Sequence, residues 1–132
     1  MNRIFLAPIL LATAAFAGPY DQPYSQVQTE YRTPHADPNV IPVIVNRVDG
    51  TTLYDKQGTI EPGRHEVTLD VPRRKGFHTA TQNTMTLDAK PCVRYYVAAR
   101  LKSRTLQEWT PFVRYEEPLK DCAAKFHVAG VQ

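Results

Sequence analysis

The feature that most constrains this chain is alternation of period two. Val93, Tyr95, Val97, Ala99 and Leu101 fall on one face of an extended segment, and Arg94, Tyr96, Ala98, Arg100 and Lys102 fall on the other. That is the pattern of a half-buried β-strand. A slip of one residue would turn its charges inward, so its register is well specified. His65 to Val71 alternates in the same way, with Val67, Leu69 and Val71 on the apolar side. Thr84 to Asp88 places Met85 and Leu87 inward, and Trp109 to Glu116 aligns Trp109, Pro111, Val113 and Tyr115. Ile41 to Val48 is rich in Ile and Val and ends at Asp49-Gly50, a strong hairpin pair, before a short return over Thr51 to Asp55. Glu61-Pro62-Gly63 marks a second turn, and Pro72 and Pro91 bound the later strands.

No stretch carries a convincing helical period. Residues 119–125 read as one helical turn or a short coil, and Phe126 to Val128 as a last short strand. Six or seven short strands, with turn signals about every 8 to 12 residues, argue for an all-β fold. The expectation is a small antiparallel β-sandwich, Ig-like or prealbumin-like, rather than parallel βαβ units. The expected core is Val43, Val45, Val67, Leu69, Val71, Leu87, Val93, Tyr95, Val97, Leu101, Trp109 and Val113.

The sandwich is expected to occupy residues 40–132. Residues 1–17 read as a cleaved signal peptide: Arg3 opens it, Ile4 to Ala17 is uncharged, and Ala15-Phe16-Ala17 is a small-x-small cleavage site. The uncharged run falls short of the roughly 20 residues of a membrane span, and no later segment reaches that length. The expected location is therefore the periplasm or the medium, with a soluble mature chain from Gly18. Residues 18–39, with four prolines and recurrent Gln and Tyr, read as a poorly ordered arm. Its tyrosines (Tyr20, Tyr24, Tyr31) serve either a tether or a peptide that docks on a partner.

Export makes the two cysteines informative. Cys92 and Cys122 are the only pair in the chain. An oxidising compartment and an even count favour a disulfide between them. Their spacing is too wide for a redox CxxC pair, and no histidine is placed to complete a zinc site. Sixteen basic and 13 acidic residues give a net charge of +3, and the leader removes one arginine. So small a surplus does not call for nucleic acid or another polyanion.

The sequence holds little that points to catalysis. Ser25 and Ser103 are the only serines, and neither lies in G-x-S-x-G. Bridged cysteines leave no thiol nucleophile. His35, His65, His78 and His127 form no metal-ligand pattern. Glu116, Glu117 and Asp121 cluster after the Trp109 strand, but without the Asp/Asn-Gly loop of calcium sites. Adjacent carboxylates also lack the opposed geometry of a glycosidase pair. No phosphate-cradling loop is present, so no cofactor is expected, and the chain reads as a non-enzyme.

Two surfaces are candidates for binding. One is the outward face of the long strand, with Arg94, Tyr96, Arg100 and Lys102. Aromatic and arginine side chains are favoured at interfaces. The other is the basic loop Arg73-Arg74-Lys75, with Phe77 and His78 at its tip, suited to anionic groups of a lipid, lipopolysaccharide or peptidoglycan surface.

Val48-Asp49-Gly50, then Glu61-Pro62-Gly63-Arg64-His65-Glu66-Val67, then Lys75-Gly76-Phe77 resembles the PEGA-type β-module of bacterial envelope proteins. The resemblance covers roughly residues 41–77. The remainder, from Lys90-Pro91-Cys92 through Trp109 to Cys122, resembles small secreted bacterial proteins of unknown function, and the cysteine pair is not part of the module's pattern. The resemblance implies a small β-sandwich used for envelope attachment or interaction, with no catalytic residues to carry over. The expected role is a non-catalytic binding or structural module for an envelope component or envelope protein. The alternative is a small secreted inhibitor or accessory subunit of an enzyme, using the Pro/Tyr arm.

Overall fold

A computed structural model describes residues 18, 20–29, 37–53, 57–71, 82–102 and 108–128. These residues form nine strands and one short helix: β1 (Ser25–Thr29), β2 (Val40–Pro42), β3 (Ile44–Val48), β4 (Thr51–Thr52), β5 (Gln57–Ile60), β6 (Gly63–Asp70), β7 (Gln82–Ala89), β8 (Val93–Leu101), β9 (Trp109–Pro118) and α1 (Lys120–Phe126). The leader read over residues 1–17 lies outside the described residues.

Two sheets face each other. The first is built on β8, which pairs along its whole length with β9. The opposite edge of β8 is shared: β1 pairs with residues 94–97 and β2 with residues 98–100, and β5 closes beyond β1. The second sheet runs β4-β3-β6-β7. All pairings are antiparallel except β1 with β8, which is parallel. The fold is thus the expected all-β sandwich, with more strands than the alternation implies and one parallel pair.

Short links join the strands within and between sheets. At Asp49-Gly50 both residues have positive φ (49° and 78°), as a two-residue hairpin turn of type I′ requires. After β5, Pro62-Gly63 passes the chain to the second sheet, and the φ of 122° at Gly63 is open to glycine alone.

The core lies between the sheets. Val27, Val43, Val67, Leu69 and Val97 have no measurable exposure. Of the expected core, Leu101 and Val113 are only partly buried and pack against its rim, and the rest are buried. A bulge explains one spacing. β3 shifts register against β6 between Val45 and Arg47, so Asn46 is the extra residue. Val48 therefore returns to the core and Arg47 stays exposed.

Three expectations are corrected. Residues 25–29, expected within a poorly ordered arm, form β1 inside the first sheet, and Val27 is a core residue. Period two is present there, as Ser25, Val27 and Thr29, but two of those residues are polar and mask the pattern. Second, Phe126 ends a helix rather than starting a strand, and His127 caps it with φ of 53°. Third, Tyr115 does not share the inward face of Trp109 and Val113. The β8–β9 register shifts between Tyr96 and Val97, which makes Arg114 the extra residue of β9. Tyr115 is thereby turned to the outer face, opposite Tyr96.

Cys92 and Cys122 are joined, with an S–S distance of 2.08 Å. Around the bridge, Leu119, Tyr24 and Phe126 form a second, smaller cluster. Cys92 has φ of 59°, and its backbone is held on both sides. Its N–H donates to the Tyr24 carbonyl at 2.7 Å, and its carbonyl accepts from the Leu119 N–H at 2.8 Å. The bridge thus fastens α1 and the segment leading into β1 to the start of β8.

Candidate functional site

The outer face of the first sheet gathers the candidate groups. β8 places Arg94, Tyr96 and Arg100 on it by simple alternation, and the bulge at Arg114 adds Tyr115 and Glu117 from β9. Tyr115 stacks on Tyr96, with ring centroids 4.4 Å apart. Tyr96 is only 7% exposed and Tyr115 is 39% exposed. Alternation along β8 offers Tyr96 as the presented aromatic; Tyr115 is the presented one, and Tyr96 supports it from below.

A polar network lies beside the stack. The Tyr96 hydroxyl donates to Glu117 Oε2 at 2.6 Å. Arg94 donates from Nε to Gln26 Oε1 at 3.0 Å and from Nη1 to Glu117 Oε2 at 3.4 Å. Partial burial by itself would lower the Arg94 pKa, but Tyr96 and Glu117 outweigh it and hold the guanidinium more firmly protonated. Partial burial, then the bond to Glu117, pushes the Tyr96 phenol up, so it stays a neutral donor. Farther along, Arg100 lies over the Phe112 ring, 4.7 Å from its centroid, and pairs with Asp37 at 3.0 Å. Both groups are about half exposed, so the pair adds little stability. Lys102 reaches out to Glu108 at 3.1 Å, wholly at the surface.

Next to Arg94 and Glu117 opens a groove of about 730 Å³, bounded by β1, β8, the end of β9 and the first turn of α1. Tyr24, Gln26, Lys120 and Asp121 contribute to its lining. A smaller cavity of about 240 Å³ also uses Tyr24, with Gln22, Thr59 and Glu61. Sequence patterning does not reveal Gln26 as a neighbour of Arg94, because polar Ser25 and Thr29 mask the period of β1 and nothing local links two residues 68 positions apart.

Arg73, Arg74, Lys75, Phe77 and His78 lie outside the described residues. Ser25 is fully buried, and its hydroxyl donates to the Lys90 carbonyl, which leaves it no nucleophilic role. Glu116 and Glu117 are on opposite faces of β9, so the three carboxylates do not converge; Glu117 and Asp121 alone share the groove. Among the described residues, no group of three His, Cys, Asp or Glu is placed to hold a metal ion. No helix among them is long and apolar enough to cross a membrane.

One titratable pair lies away from this face. His65 presents Nδ1 to Asp49 Oδ2 and Nε2 to the Glu61 carbonyl, each at 2.5 Å. Both partners are acceptors, so the doubly protonated ring satisfies both. Burial opposes the charge, but the bonds to Asp49 and Glu61 outweigh it and raise the His65 pKa. The same bond, with the Glu66 N–H, holds Asp49 below the usual carboxylate range. The pair clamps the Asp49-Gly50 hairpin to β6.

Comparison with protein-family models, curated proteins and solved structures gives no match to this chain.

Proposed function

We propose that this chain is an exported, non-catalytic binding module that engages an envelope component through the outer face of its first sheet. The observation that carries the reading is the constellation on that face: exposed Tyr115 stacked on Tyr96, Arg100 over Phe112, and a polar groove beside Arg94. Rigid aromatics and arginine on a firm sheet bind a partner at low entropic cost. The leader pattern, the disulfide and the PEGA-like turn order support an envelope setting. Tyr20 and Tyr24 pack edge to face with centroids 5.0 Å apart, and Tyr24 belongs to the cluster around the bridge. That favours the module over an inhibitor inserting this tyrosine segment as a free peptide.

The test is co-sedimentation of the oxidised chain from Gly18 with purified cell-wall and outer-membrane fractions across a salt series. The expected result is pelleting that Tyr115→Ala and Arg100→Ala weaken. Pelleting that fades with salt and vanishes when Arg73, Arg74 and Lys75 become alanine would transfer the site to that loop. Absence of pelleting at every salt concentration would overturn the envelope reading.

A further inference from the structure

The groove beside α1 has a chemistry that narrows its ligand. Arg94 and Lys120 bring two cations, and Glu117 and Asp121 bring two carboxylates, to one space. Their formal charges cancel. A polyanion or polycation would meet as much repulsion as attraction there, so the lining favours an uncharged ligand. At about 730 Å³ the groove has the size of a small-ligand site.

The polar groups are arranged as neighbouring donors and acceptors. Arg94 Nε lies 3.0 Å from Gln26 Oε1, and Arg94 Nη1 lies 3.4 Å from Glu117 Oε2. A hydroxyl both donates and accepts. Adjacent hydroxyls on a sugar ring can each join one such pair, and the Glu117 carboxylate is already anchored by Tyr96. Tyr24 supplies an aromatic ring, against which the C–H face of a sugar packs. Tyr24 lines both the groove and the 240 Å³ cavity with Gln22 and Glu61, so the two polar spaces adjoin at this residue. That layout suits linked sugar units better than a single one.

We propose that this groove binds an uncharged oligosaccharide, with Arg94, Gln26, Glu117 and Asp121 holding hydroxyls and Tyr24 stacking on a ring face. The assignment rests on reading this face as the binding surface, and it makes the envelope component a neutral glycan chain.

The experiment titrates isotope-labelled, oxidised chain from Gly18 with chitotetraose, cellotetraose and maltotetraose, at low and high salt, following backbone amide signals. At least one tetraose is expected to shift residues 24–26, 94, 117 and 119–121 saturably, with an affinity that changes less than about twofold between the salts. Gln26→Ala and Glu117→Gln should each weaken binding about tenfold, the effect of losing one well-placed hydrogen bond. Tyr24→Leu keeps an apolar side chain at the bridge but loses the ring, and should weaken binding with the amide spectrum of a folded chain. Failure of all three sugars to shift these amides would overturn the proposal, as would shifts elsewhere, a steep salt dependence, or variants that bind like the parent. If the chain still sediments with cell-wall material while no sugar binds, the glycan assignment falls and the binding-module reading stands.

Discussion

Replacing both cysteines with alanine should cost this domain about 3.6 kcal/mol. The bridge closes a loop with a sequence separation of 30 between Cys92 and Cys122. In the chain-entropy account a loop of that size contributes about 3.6 kcal/mol at 25 °C by restricting the unfolded chain. Domains of about 100 residues have net stabilities on the order of 5–15 kcal/mol, so about a quarter or more is at stake. With an unfolding entropy of about 2 cal/mol/K per residue, the melting temperature should fall by roughly 15 °C. The native contacts the bridge leaves behind are modest. Leu119 and the Cys92 carbonyl still bond, but α1 has only seven residues and cannot hold its own shape. Two readouts therefore follow. Urea unfolding gives the global loss, and hydrogen exchange at the amides of α1 should quicken first. A second variant separates backbone strain from the bridge. Cys92 sits at φ of 59°, where glycine is at ease, so Cys92→Gly/Cys122→Ala should recover about 1 kcal/mol relative to the double alanine chain. A loss below about 1 kcal/mol with an unchanged urea slope would refute the loop-entropy reasoning. A loss well above 6 kcal/mol would also refute it, because native packing around the bridge would then be the larger effect.

The His65–Asp49 clamp predicts a pH window. His65, with its pKa raised in the fold, stabilises fully below its unfolded value near 6.5, and that contribution is lost as pH rises through the raised value. Asp49, with its pKa lowered, contributes above about 3.8 and loses it as pH falls through the lowered value. Urea midpoints should therefore be highest between about pH 4 and 6.5, and His65→Gln should flatten the decline on the alkaline side. Val27→Ala should cost about 2 kcal/mol, because Val27 is fully enclosed; a cost near zero in chemical denaturation would contradict the placement of β1 in the sheet. Deleting Arg114 should remove the bulge and join Val113 directly to Tyr115, which keeps Tyr115 opposite Tyr96 on the outer face. The ring-current effect of Tyr115 on Tyr96 in the NMR spectrum should therefore persist, and its loss would contradict the assigned bulge.

The long strand β8 is legible in the sequence because its charges and apolar groups alternate without interruption. Cys92–Cys122 is legible because only one pairing exists. β1 is not: SQVQT has one strongly apolar residue, and its strand state comes from pairing with β8 on one side and β5 on the other. The site shares the same difficulty. Alternation alone places Arg94 and Arg100 on an outer face, but it also turns Tyr115 inward, because a bulge leaves no mark in a hydrophobic pattern. Tyr24 and Gln26 join Arg94 through a parallel pairing between strands far apart in the chain.

Local chemistry thus determines where most strands form, which faces they bury, where Asp49-Gly50 and Pro62-Gly63 turn, and which cysteines meet. Those properties depend on side-chain periodicity, backbone sterics and composition, all of which can be read along the chain. The tertiary structure decides which strands share β8, where the ladders skip a residue, and hence which polar groups face one groove. Strand partners are chosen by the summed burial of two sheets, a quantity that belongs to no single segment.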